Sequence, residues 1–139
     1  VISGVTKILL KEFYDWLIVQ GDTTTSMAAA LAAFYQKVPV AHVEAGLRTF
    51  DKHSPFPEEV NRQITTRVAD LHFAPTEKNK DNLIKEGELP YSVHVTGNTV
   101  IDALQWVLKH VPEPSFDLPF DFTFFTLFYS FLFFFLRFF

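Results

Sequence analysis

The chain has 139 residues, enough for one domain and short for two. It is 48% hydrophobic and 20% charged, with a net charge of -4 spread over both signs. That composition suits a globular domain and leaves no electrostatic footprint for nucleic acid or an anionic membrane surface. With no cysteine there is no disulfide framework, no thiolate nucleophile and no Cys-based metal site, which is compatible with the cytoplasm. The first stretch, "VISGVTKILLKEF", has neither an initiator Met nor the charge order and cleavage site of a signal peptide, so the chain is expected to begin in mid-domain.

The predicted elements alternate. Val5, Ile8, Leu9 and Phe13 recur at helical spacing. "WLIVQ", residues 16–20, is a continuous apolar run of the kind found in buried parallel strands, and it stops at Gly21. Asp22 or one of the three following threonines can cap the next helix, "SMAAALAAFYQK", whose alanines allow close approach to a sheet. "VPVAHV", residues 38–43, reads as a strand with Pro39 at its entry. After a polar loop, "PEEVNRQITTRVA" opens with Pro57 and two acids, as a helix start does. "LHFAP" is a further strand, and "TEKNKDNLIKEG" a helix with Thr76 as cap and Gly87 as stop. "SVHVTGN" is a strand and turn, and "TVIDALQWVLKH" a last helix before Pro112 and Pro114 open a linker. This order calls for a parallel sheet with helices on both faces, an α/β Rossmann-like architecture over residues 1–110. Ligands of such sheets bind beyond the carboxyl ends of the strands, here the loops "QGDTTTS", "EAGLRTFDKHSPFPEE", "APTE" and "TGNT".

Residues 111–139 have a different character. Of 17 phenylalanines, 12 lie between Phe116 and Phe139. The uncharged run from Phe122 to Leu136 has 15 residues, short of the ~20 that a membrane-spanning helix needs. The expectation is a linker followed by a non-native, Phe-rich tail rather than a membrane anchor.

The polar loops hold the candidate chemistry. "GDTTTS" lacks the lysine of a phosphate-binding P-loop, so nucleoside-triphosphate hydrolysis is not indicated. Asp22 is either a base or orienting carboxylate at a strand end, or part of a helix cap. His42 and Glu44 are two apart and would share a face of a strand, but no further ligand follows at metal-binding spacing. Glu44, a carboxylate at a strand end, needs a partner, and Arg48 is the nearest cation in sequence. Glu58 and Arg62 are four apart on a helix, an arrangement that serves equally as an ion pair or as part of a site. Three carboxylates brought to one cleft would suit acid–base chemistry on a sugar. The remaining histidines carry no spacing signal.

Four blocks, "GDTTTSMAAALAAFYQKVPVAHVEAGLRT", "SPFPEEVNR", "HFAPTEKNKDNLIKEG" and "VTGNTVIDAL", closely resemble the non-hydrolysing UDP-N-acetylglucosamine 2-epimerases in order and spacing. The resemblance runs from about Trp16 to Leu108. It implies the second half of the N-terminal domain of a GT-B-like two-domain fold, with the active site between domains. It also implies interconversion of UDP-GlcNAc and UDP-ManNAc by anti elimination of UDP to 2-acetamidoglucal and re-addition, without metal or other cofactor. Asp22, Glu44 and Glu58 match the family's catalytic carboxylates, and Arg62 and Arg48 are assigned to substrate. A cytoplasmic homodimer is the expected setting for the complete protein. A GT-B-like glycosyltransferase and a non-catalytic remnant are the alternatives. The fragment alone is expected to be inactive, because the resemblance places most uridine-diphosphate contacts in the other domain.

Overall fold

The structure, a computed structural model, describes residues 1–110, so the expectations for the Phe-rich tail lie outside the described residues. The elements run α1 (Ile2–Leu9), β1 (Leu17–Gln20), α2 (Thr24–Tyr35), β2 (Val40–Val43), α3 (Glu58–Val68), β3 (Leu71–Ala74), α4 (Glu77–Lys85), a 3-10 turn (Pro90–Ser92), β4 (Val93–Val95) and α5 (Thr99–His110). The alternation anticipated from the apolar runs is present. The first helix is shorter than its apolar spacing suggests: it ends at Leu9, and Phe13 lies beyond it, 90% exposed.

The four strands are parallel and ordered β1-β2-β3-β4. Sequential order combined with right-handed crossovers sends successive connecting helices to the same face of the sheet. The core shows this. Leu9 of α1 and Ala30 and Ala33 of α2 pack with Val19 and Val40, and Val68 of α3 lies against the same cluster. Leu83 of α4 packs with Ala74 and Val93. Helices α1 to α4 therefore cover one face. On the other face exposure is uneven: Ile18 is 67% exposed, whereas its register partner Ala41 is 4% exposed. Helix α5 has no buried residue.

Small side chains allow the close packing. Ala28, Ala30, Ala32 and Ala33 are all buried in α2, which brings that helix tight against β1. Thr23 caps α2 by accepting the Ser26 amide, and Thr76 caps α4 by accepting the Asn79 amide. Gly87, at φ 101°, follows the last turn of α4.

Beneath α3 the core turns polar. His42 and His72 are paired in register on adjacent strands and both are fully buried. Burial chiefly lowers both pKa values to about 4, so both rings are neutral near pH 7. Of the two ring nitrogens, His42 Nε2–H donates to the Gly21 carbonyl at 2.9 Å and Nδ1 has no partner. His72 Nε2 lies 3.3 Å from Glu88. That contact lacks hydrogen-bond geometry, and with a neutral ring it is not an ion pair.

Candidate active site

Three of the five residues singled out from the sequence converge at the carboxyl ends of β1 and β2. Gly21 ends β1 in the left-handed region, at φ 70°. The turn that follows carries Asp22. Because Thr23 takes the capping role, the Asp22 side chain is free of α2 and bonds instead to Arg62 Nη2 of α3. Asn61, one residue earlier on α3, donates to the Asp22 carbonyl at 2.9 Å and to Thr24 Oγ1 at 3.3 Å. The turn is thus held by both its backbone and its side chain.

Glu44 lies immediately past β2 with φ 66°, an uncommon conformation for a residue with a side chain. The strand alternation expected to align it with His42 stops at Val43, so it does not set the direction of Glu44. Its carboxylate comes to the β1 end: a side chain built at Gly21 would meet Glu44 Oε2 at 3.7 Å. Burial, reinforced by the negative charge of Asp22, raises the Glu44 pKa, against a hydrogen bond from Gln20 and the charge of Arg62. Glu44 is half-buried and holds its proton to higher pH than an ordinary glutamate.

Glu58 and Glu59 separate at the start of α3. Glu58 is half-buried, whereas Glu59 is fully buried. Arg62 pairs with Glu59, at 3.3 Å through Nη1, and with Asp22, not with Glu58 as the four-residue spacing suggests. Its Nε–H is buried without a partner. Arg48 also departs from expectation. Its buried guanidinium grips Glu86 with two bonds of 2.7 Å and donates to Thr66 Oγ1 and the Leu47 carbonyl. It braces the loop from behind and is not the partner of Glu44. The correction has a physical cause: a bidentate carboxylate 38 residues away offers better geometry than a neighbour at a strand end.

The loop that carries Glu44 is clamped by α4. Asn79 and Asn82 both donate to the Gly46 carbonyl. Gly46, at φ 87°, sits so close that a Cβ would come within 2.3 Å of the Asn79 carbonyl oxygen. Only glycine fits there. A groove of about 420 Å³ lined by Gln63, Ile64, Arg67 and Glu86 contains none of the five candidate residues. Among the described residues, no group of three or more His, Cys, Asp or Glu could hold a metal ion, and no helix is long and apolar enough to cross a membrane.

Sequence reasoning missed the role of Glu59, noticed only as one of two adjacent acids, and the tie from His42 to Gly21. No local signal reports either, since both depend on partners brought in by the fold.

Comparison with known proteins gives the context for this geometry. The family model for UDP-N-acetylglucosamine 2-epimerase matches residues 1–122. The UDP-N-acetylglucosamine 2-epimerase of Bacillus subtilis (strain 168) is 60% identical over 95 residues, which are 68% of this chain and 25% of the relative. That of Escherichia coli (strain K12) is 51% identical over 111 residues, 80% of this chain and 30% of the relative. The crystal structure of UDP-GlcNAc 2-epimerase from Neisseria meningitidis bound to UDP-GlcNAc superposes with a TM-score of 0.76 at 55% identity, covering 78% of this chain and 29% of that one. The chain spans less than a third of the length of the curated relatives it matches. With its family model, its sequence relatives and its fold in agreement, the chain belongs to the UDP-N-acetylglucosamine 2-epimerase family.

Proposed function

We propose that residues 1–110 are part of the N-terminal domain of a longer epimerase and carry the carboxylate side of its active site, with residues 111–139 a linker and a Phe-rich, non-native tail. The complete enzyme interconverts UDP-GlcNAc and UDP-ManNAc, as a cytoplasmic homodimer. The observation that carries this reading is the convergence of Asp22, Glu44 and Arg62 from two strand ends and a helix, with Glu44 shifted towards its protonated form.

The chemistry explains why such a cluster is needed. The C2 hydrogen of the sugar is not next to a carbonyl, so simple deprotonation is strongly uphill. When a base removes that proton, the electron pair forms the C1=C2 bond of 2-acetamidoglucal and the C1–O bond breaks, releasing UDP as a stabilised anion. In the return step a UDP oxygen attacks C1 and C2 accepts a proton on the opposite face. Two faces call for more than one proton-handling group; Asp22 and Glu44 stand together at the strand ends, and Glu58, at the start of α3, is the third carboxylate assigned to that task. A glutamate whose pKa is raised is better suited to the donor role than an ordinary one. Arg62 positions a carboxylate or the substrate, while Arg48, committed to Glu86, supports the loop.

A chimera in which residues 16–108 replace the matching segment of the E. coli relative tests the proposal. Turnover of UDP-GlcNAc in deuterium oxide should place deuterium at C2 of both epimers and release a little 2-acetamidoglucal with UDP. Epimerisation that retained the C2 hydrogen would rule out elimination and point to removal of hydride from C2 and its return to the opposite face. Transfer of the sugar to an acceptor without epimerisation would favour a glycosyltransferase.

A further inference from the structure

Glu59 is an unusual residue to find at zero exposure. Its carboxylate is saturated. Oε1 accepts the Phe50 amide at 3.1 Å and Gln63 Nε2 at 3.0 Å, and Oε2 accepts the Thr49 amide at 3.1 Å and Arg62 Nη1 at 3.3 Å. All four partners are donors. Burial pushes the Glu59 pKa up, but the bonds from Thr49, Gln63 and Phe50 and the charge of Arg62 together hold it below the ordinary glutamate range. A buried carboxylate kept ionised in this way is rigid, because any movement strands a charge away from water.

The two ends of this arrangement lead to different places. Thr49 and Phe50 belong to the loop between β2 and α3, where Phe50 adopts φ 63° and Thr49 Oγ1 also contacts the Ser54 carbonyl. Arg62 leads to Asp22. Resting on the reading of Asp22 and Arg62 as site residues, we propose that Glu59 is a positioning residue: it fixes the Arg62 guanidinium between loop 49–57 and Asp22, so that the conformation of that loop sets the position of the Asp22 carboxylate. Glu59 itself does not reach the substrate. It splits the work of the adjacent acids, Glu58 remaining half-exposed for chemistry while Glu59 locks the frame.

NMR on the full chain tests the link. With both Nη groups held, Arg62 should give separate, slowly averaging Nη–H signals. Glu59→Gln presents one acceptor and one new donor to four donors. The Thr49 and Phe50 amides should then exchange roughly tenfold or more faster, the scale of one lost charge-assisted hydrogen bond, and the Arg62 Nη1 signal should lose its restraint while Nη2 stays bonded to Asp22. Faster loop exchange with the Arg62 Nη1 signal unchanged would make Glu59 a loop anchor only and overturn the proposal. If Glu59→Gln does not fold, Asp22→Asn reads the link from the other end: Arg62 should keep a restrained Nη1 signal because Glu59 still holds it. Free rotation of the whole guanidinium in Asp22→Asn would refute the assignment. None of these signals depends on turnover, so a failed epimerisation assay would leave this result intact, and the reverse also holds.

Discussion

The buried histidine pair should make the fold sensitive to mild acid. His42 and His72 have folded pKa values of about 4, against 6.5 for an unperturbed ring. Above pH 6.5 the rings are neutral whether the chain is folded or not, so they impose no penalty. As pH falls below 6.5 the unfolded chain takes up protons that the folded chain refuses. Stability is therefore present above the unfolded value and is lost as pH falls towards 4. Between about pH 7.5 and pH 5, the linkage relation gives about 2 kcal/mol of lost stability per histidine, roughly 4 for the pair. The neighbouring charges do not rescue them: Arg48 disfavours protonation of both rings, and Asp22 and Asp70 only partly offset burial. Glu44 and Glu88, whose pKa values are raised, act in the opposite sense as pH falls and blunt the effect. Urea unfolding at the two pH values, followed by circular dichroism, measures the loss. In His42→Asn/His72→Asn, compared with its own stability at pH 7.5, the loss should shrink by most of that amount. A double variant with the same pH dependence as the parent would refute the assignment of neutral buried rings.

Further outcomes follow from the loop and the site. Gly46→Ala combines positive φ with a collision against the Asn79 backbone and should cost about 3 kcal/mol or more in urea unfolding. Arg48→Ala strands Glu86 and should cost about 3–5 kcal/mol, while the double variant with Glu86→Ala recovers part of the loss in a mutant cycle. In the chimera, Asp22→Asn, Glu44→Gln and Glu58→Gln should each lower kcat by about 100-fold or more with a smaller change in KM. Glu44→Gln should also remove one limb of the kcat–pH profile, at a pH above that of an ordinary glutamate.

Much of this architecture was legible in local pattern. The apolar runs at residues 17–20 and 40–43 and the alanine-rich helix between them are visible to any reading of hydrophobic spacing, and they place Asp22 and Glu44 at strand ends without knowledge of the fold. What pattern could not convey was partnership. Arg48 stands four residues from Glu44 but bonds to Glu86, and Arg62 stands four from Glu58 but bonds to Glu59 and Asp22. The histidines looked unremarkable because the register that sets His42 beside His72 belongs to strand pairing, not to spacing along the chain. The common face of helices α1 to α4 likewise follows from strand order, which alternation alone leaves open.

That strand order also bears on how the molecule can be made. Among the described residues, each strand from β2 onwards pairs with the one synthesised just before it. Assembly can therefore proceed vectorially as the chain emerges from the ribosome, each new strand and helix adding to a surface already in place. The candidate site falls within this order. Asp22 and Glu44 are laid down with β1 and β2, but the cluster stays incomplete until α3 delivers Arg62, 40 residues after Asp22.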